Sequence, residues 1–345
     1  MNSRWLLTSA LFFGLAFTPA ETRLDYSPTK GNEIEKSFSG EFTVYIEALD
    51  VTMNGQASPL SMDAMDPSER EGVFTYNLDV LDVFKDVADG RTAELIRTYN
   101  AVEGSAEGGG DTEEGSYDEL VGQSVHFVWN EETEQYDRSA LDEDADLEED
   151  LLQSLAAEID MSALLPDGEV AIGDTWEVPG EMMVGLLVPG IDFNSAANID
   201  NEAMGEIPDE IMSALRGSME ESIIECKFSG LSGDGENESA VIAFTLTAEV
   251  SLDLAEVLAA QLDEQAEQME MEMDEFTVDL SLELIGEMNW NVRGHRFDSY
   301  EMSGEIALDA YMTMAMGGGQ MEIEGEAEAT SEFTVEGTAT VKADE

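Results

Sequence analysis

Long runs in which apolar and polar residues alternate constrain this chain more than any other feature. Phe42, Val44 and Ile46 alternate with polar or small neighbours, Phe74, Tyr76, Leu78 and Val80 do the same, and Ser124 to Trp129 gives a further short run. Successive side chains of an extended strand point to opposite faces, so the pattern predicts antiparallel strands with one face buried and the other in water. The same period returns later. Ile224 to Phe228 and Val241 to Val250 flank the polar tip Ser232 to Asn237. Phe276 to Asn291, Phe297 to Met316, Met321 to Ala329 and Phe333 to Val341 then read as a meander, turning at Val292 to His295 and Gly317 to Gly319.

Helical spacing is confined to a few places. Asp142 to Ile159 opens on acids, which suits the positive end of a helix dipole, and carries Leu147, Leu151, Leu152 and Leu155. Pro208 to Leu215 and Ala255 to Met269 are shorter candidates. Gly104 to Gly115 is rich in glycine and acid and reads as a mobile loop. The expected fold class is therefore α+β and β-rich: two antiparallel curled sheets, half-barrel-like, each with an associated helix. One continuous large sheet is the alternative, and periodicity does not separate the two.

The opening residues read as an export signal. Arg4 precedes the apolar run Trp5 to Phe17, and Thr18-Pro19-Ala20 supplies small residues before Glu21. The expected organisation is a signal peptide over 1–20, a flexible tether over 21–37, an N-terminal β-rich lobe with a helix over 38–190, a linker over 191–205, and a C-terminal β-rich lobe with a helix over 206–343. The expected location after cleavage near Ala20 is extracytoplasmic, periplasmic or secreted, with no membrane span in the mature chain.

Charge then narrows the partners. Against 14 Lys and Arg stand 78 Asp and Glu, a formal charge of −64. Such a surface repels nucleic acid and anionic membranes. No Lys or Arg occurs from Ser139 to Leu215 or between Phe228 and Asn291, so the acids there have no local partner and must project into water.

Motifs for chemistry are missing from the sequence. His126 and His295 are the only histidines, and Cys226 is the only cysteine, on the same strand face as Ile224 and Phe228. No zinc, nucleophile-elbow, Walker or dinucleotide fingerprint is present, so no catalytic residue and no cofactor is assigned. The run Asp142-Glu143-Asp144-Ala145-Asp146 opens like a calcium loop, then departs from it at Leu147 and Gln153. Methionine is abundant, at 19 residues, and Met269, Met271, Met273 and Met312, Met314, Met316 fall at alternate positions. Thioethers in a row suit Cu(I), which makes these six the metal candidates. Val278, Ile306 and Leu308 continue the same alternation, so flexible core filler is the plainer reading.

Leu165-Pro166, Val170 and Gly173-Asp174-Thr175-Trp176 are similar to a segment of uncharacterised exported bacterial proteins, an "LP…V…GDxW" pattern joining two β-rich parts. Gly286, Trp290, Arg296 and Gly304 resemble the same group's terminal hairpin. The resemblance implies a signal peptide and β-rich lobes, and no activity. The resulting expectation is an exported, soluble, acidic and non-enzymatic protein that binds an apolar small molecule or a protein partner. The alternatives are a structural or surface-associated acidic protein, and a methionine-based copper or divalent-ion binder.

Overall fold

The computed structural model describes residues 21–58, 62, 70–88, 91–108, 111–116, 119–142, 144–145, 147–187, 189–190, 217, 219, 222–255, 272–316 and 321–342. In chain order the elements are β1 (Thr22–Arg23), β2 (Glu33–Met53), β3 (Gln56–Ala57), β4 (Glu71–Ala88), β5 (Arg91–Gly108), β6 (Asp111–Ser116), β7 (Ser124–Asn130) and β8 (Gln135–Ala140). There follow α1 (Glu149–Gln153), β9 (Glu169–Val170), β10 (Thr175–Pro179), α2 (Met183–Leu187), β11 (Ile223–Ser232), β12 (Ser239–Asp253), β13 (Glu272–Asn291), β14 (Arg296–Met316) and β15 (Met321–Val341).

Eleven strands lie side by side in the order β10-β11-β12-β13-β14-β15-β2-β4-β5-β7-β8, with β3 attached to β2 and β6 to β5. Strands β1 and β9 form a separate two-stranded ribbon. The two flanks of the large sheet are different strands, β10 and β8, so it is open. This corrects the expected α+β fold of two curled sheets with a helix each. The join is made by β15 lying against β2, where Val341 pairs with Ile34 and Ile323 with Met53. Alternation sets which face of a strand is apolar and says nothing of which strand it pairs with.

The helix expected over Asp142 to Ile159 is also shorter than expected. Among the described residues of Asp142 to Ile159, only the five of α1 are α-helical. Beyond it, Arg138 Nε donates to the Leu155 carbonyl at 2.7 Å, and Arg97 donates to the Ala156 and Ala157 carbonyls at 2.6 and 2.9 Å. Beyond α1 the chain thus presents its carbonyls to guanidinium groups of the sheet, which satisfy them without a helix. The candidate helices at Pro208 to Leu215 and, beyond Ala255 itself, Ala255 to Met269 lie outside the described residues, as does the linker 191–205. Glycine-rich Gly104 to Gly108, expected as loop, is the end of β5 and forms a hairpin with β6. A backbone ladder needs no side chains, and Gly72 to Tyr76 of β4 supply its other partner. The segment expected as a tether contributes Glu33 to Ser37 to β2.

Turn chemistry matches the hairpins. Asn54 and Gly55 both hold positive φ, 51° and 71°, as a tight hairpin between β2 and β3 requires. The "GDxW" residues are accounted for by a turn: Gly173 has φ +100°, the Asp174 carboxylate accepts the Ala171 N–H at 2.8 Å, and Trp176 Nε1 donates to the Leu164 carbonyl at 3.0 Å. Trp290 is fully buried, and Gly286 and Gly304 lie against the rings of Phe244 and Phe333, where a Cβ would collide.

Strands β2, β14 and β15 each run 21 residues, about 70 Å of extended chain. Among the described residues, the connection from Leu151 to Leu187 covers only part of that length. It packs on one half of the apolar face, above Phe38, Phe244, Met288, Phe297 and Tyr300, which are all buried. On β2, β14 and β15 the other half of that face is largely half-buried, whereas Ala248, Val250, Leu252 and Val278 of β12 and β13 are buried.

Candidate functional site

Beneath the covering segment lies a cluster of charges sealed from water. Lys36 on β2, Asp82 on β4 and Arg97 on β5 are all at most 2% exposed, and Asp160 of the covering segment is 5% exposed. Lys36 Nζ donates to Asp82 at 2.8 Å and to Asp160, while Arg97 grips both Asp82 oxygens at 2.6 and 2.9 Å. The Tyr26 hydroxyl donates to Asp160 at 2.8 Å. Two cations and two carboxylates balance, and the fork of Arg97 meets both oxygens of one carboxylate. Of only 14 basic residues in the chain, two among those described are committed to the interior, where they tie the covering segment to the sheet. The arrangement is a clasp, because no substrate reaches it.

Sequence reasoning missed this cluster, although a signal existed. Lys36 interrupts the apolar phase between Ile34 and Phe38, Asp82 between Val80 and Phe84, and Arg97 between Leu95 and Tyr99. A charge in the buried phase of three strands is costly unless the three meet.

Burial pushes several phenols upward. Tyr99 is raised to about 12 by burial, and Tyr26 is raised well above its ordinary value by burial and then by Asp160. A neutral form favoured in the native state stabilises it below the ordinary phenol value of about 10, and that contribution disappears as pH rises through the raised value. Tyrosinate absorbance is therefore expected to lag behind that of free tyrosine on alkaline titration and to rise together with loss of the strand circular dichroism. Full titration with the strand signal intact would refute the burial of these rings.

Two tyrosines of the sheet hold α2 of the covering segment. The Tyr76 hydroxyl donates to the Leu187 carbonyl at 2.8 Å and Tyr300 to the Leu186 carbonyl at 3.4 Å. Just beyond, Phe42 and Phe333 stack at 5.6 Å between ring centroids. From there the apolar face of β15 carries small residues only: Ser331, Ala329, Ala327 and Gly325. Its neighbours are bulkier. Ser331, Ala329 and Gly325 pair with Ile306, Leu308 and Met312 of β14, and on the other side with Val44, Ile46 and Val51 of β2. Only at Ala327 is one neighbour small, Ala310, with Leu49 opposite. The result is a furrow about 20 Å long between walls about 10 Å apart, closed at one end by the stacked rings.

Two local features maintain it. β2 has a bulge at Glu47, where Ala329 pairs with Ile46 and Glu328 with Ala48. The bulge moves the apolar phase from Val44 and Ile46 to Leu49, Val51 and Met53, and keeps the wall continuous. At the floor, the Met312 methyl lies 3.4 Å from where a Cβ on Gly325 would stand. A flexible thioether thus rests over the narrowest floor residue.

The predicted metal candidates are partly brought together. Met273 pairs with Met314, and Met312 with Phe276, across β13 and β14. Met269 and Met271 lie outside the described residues, and Met316 ends β14. Cys226 is buried, and burial pushes its thiol up to about 12. His126 Nε2 is 2.9 Å from Glu94, and His295 pairs with Asp25.

The opposite face is acidic. Across β13, β14 and β15 the register sets Glu287, Glu301 and Glu336 in one row, Glu283, Glu305 and Glu332 in the next, and Asp279, Asp309 and Glu328 in a third. All nine are exposed, and the rows recur every four residues. Among the described residues no group of three acidic, His or Cys side chains converges on a metal-binding geometry.

No family model and no curated protein matches the chain. Among solved structures it is similar to an outer membrane channel from Pseudomonas putida F1, at 9% identity over 91% of this chain and 97% of that one, with a TM-score of 0.18. It is also similar to an engineered protein with asymmetric conductivity, at 8% identity over 87% and 99% of the chains and a TM-score of 0.16. Transferrin binding protein B from Haemophilus parasuis matches at 8% identity over 90% and 78%, with a TM-score of 0.08. Likeness at these scores carries no argument about shape or activity. Among the described residues no helix is long and apolar enough to cross a membrane.

Proposed function

We propose that this protein is an exported, non-catalytic carrier or receptor for an apolar, chain-like ligand that lies in the furrow along β15. The observation that carries the reading is the floor of Gly325, Ala327, Ala329 and Ser331 between the bulky walls of β14 and β2. A strand whose apolar face is all small leaves a linear depression, and a linear ligand fills it with the most contact. Met312 and Met314 at the other end adapt to chains of different shape. A ligand burying about ten methylenes gains about 8 kcal/mol before the cost of ordering it, which places the affinity between micromolar and millimolar. The formal charge of −64 excludes an anionic headgroup, so the ligand is neutral or cationic at its polar end.

The test is titration with a neutral, fluorophore-tagged hexadecyl chain. Binding is expected to saturate and to weaken by at least about tenfold in Ala327→Trp, which fills the furrow floor. Glu328→Gln, on the acidic face next door, is expected to bind as the parent does. No saturable binding by the parent, or equal binding by Ala327→Trp, would overturn the proposal.

A further inference from the structure

Strand β12 is longer than the neighbour on one of its flanks. β11 pairs with it from Ser232 opposite Ser239 to Ile224 opposite Leu246, whereas β13 pairs with it down to Asp253 opposite Thr277. Among the described residues, Thr247 to Asp253 therefore has a ladder on one side only. Which backbone groups face the open side follows from the register. The Leu254 N–H donates to the Phe276 carbonyl at 2.7 Å, so Leu254, Leu252, Val250 and Ala248 direct their backbone groups to β13. The N–H and C=O of Thr247, Glu249, Ser251 and Asp253 then face away from it.

The space alongside is a groove of about 900 Å³ that continues the line of β11 and is lined by Ile223, Glu225, Thr247, Glu249 and Ser251 among others. At its head Ile223 is 46% exposed. Most sheet flanks are shortened, covered or bulged. This one is straight for seven residues and bordered by carboxylates, with Glu177 and Glu225 at the head and Glu249 and Asp253 along it.

We propose that the open flank of β12 is a strand-addition site for an extended basic peptide of a partner protein. The incoming strand runs antiparallel to β12, in line with β11, over about seven residues. Its residues opposite Thr247, Glu249, Ser251 and Asp253 exchange backbone hydrogen bonds and, by the pleat, place their side chains on the acidic face, so those positions are Lys or Arg. The alternate residues lie beside Ala248, Val250 and Leu252 and are apolar. A second copy of this chain is disfavoured as occupant, since its flank would bring carboxylates against carboxylates.

The probe is a fluorescent seven-residue peptide alternating lysine and valine, followed by anisotropy at moderate salt. Saturable binding is expected. N-methylation of its lysines, whose N–H groups donate to β12, is expected to weaken binding by at least about tenfold, whereas N-methylation of its valines changes it less than about twofold. Ser251→Pro, which removes one N–H on the solvent side of a flank strand, is expected to weaken the parent peptide similarly and to leave the unfolding midpoint within a few degrees. Three results overturn the proposal: no binding, equal loss for both methylated peptides (which marks simple attraction to an acidic surface), or self-association of the protein through this flank. None of them bears on ligand binding in the furrow.

Discussion

Asp82→Asn lowers the free energy of unfolding by about 3–5 kcal/mol, the largest single-residue effect expected anywhere in the chain. The substitution keeps the side chain's size and removes one negative charge from a cluster that is otherwise balanced. Lys36 and Arg97 then share the lone Asp160, and the Arg97 guanidinium, fully buried, faces an amide whose NH₂ repels it. The loss comes from stranding charge away from water. Lys36→Met/Asp82→Asn, which restores the balance between Arg97 and Asp160, is expected to recover part of the stability. Urea unfolding followed by circular dichroism reads both, and an unchanged midpoint for Asp82→Asn would show that the cluster is hydrated and holds nothing.

The same site dictates an acid limb. Burial alone pushes the Asp82 carboxyl upward, but Arg97 and then Lys36 outweigh it and hold the group below the usual carboxylate value. A depressed value means that the native state favours the ionised form. The stabilisation is present in full above the ordinary Asp value of about 3.9 and is lost as pH falls through the depressed one. Asp82→Asn should therefore be less destabilising, relative to the parent, at the acid end of the pH range than at neutrality.

How far this was legible in the sequence depends on what each residue pattern encodes. Alternation located β2, β4, β7 and β11 to β14 and read the single strand β15 as two runs, because a half-buried strand must alternate. It left open the pairing of β15 with β2, since those partners are separated by most of the chain and any apolar face fits any other. The helix expected over Asp142 to Ile159 stops after α1, and the chain that follows docks on the sheet through Arg97 and Arg138, contacts that no local pattern marks. The furrow was half visible. Gly325, Ala327, Ala329 and Ser331 stand at alternate positions, but a line of small residues becomes a furrow only once Ile306, Leu308, Val44 and Ile46 are known to flank it. The clasp was visible as three charges in apolar phase, yet only the fold shows that Lys36, Asp82 and Arg97 meet. The free flank of β12 depends on where β11 stops, which no periodicity announces.

The acidic face sets the second large effect. Strands in a sheet stand about 4.8 Å apart, so Glu305 has a carboxylate on each side, Glu283 and Glu332, and the rows above and below repeat the arrangement. Like charges directly opposite one another are destabilising, by up to about 1 kcal/mol per pair in dilute buffer, and the three rows hold six such pairs. The extended unfolded chain spaces the same charges far apart and is relieved of most of this repulsion. Raising the salt from about 10 mM to 1 M shortens the screening length from about 30 Å to about 3 Å, less than the distance between strands. Stability is therefore expected to rise by several kcal/mol over that range, read as a thermal midpoint that climbs by several degrees. The rows, rather than net charge in general, are singled out by Glu305→Lys, which turns two repulsions into two attractions across the sheet. It is expected to stabilise the protein by about 1–2 kcal/mol in dilute buffer and to lose most of that advantage in 1 M salt. A midpoint indifferent to salt, or a Glu305→Lys gain that persists undiminished in 1 M salt, would mean that the carboxylates are not arrayed against one another as the register places them.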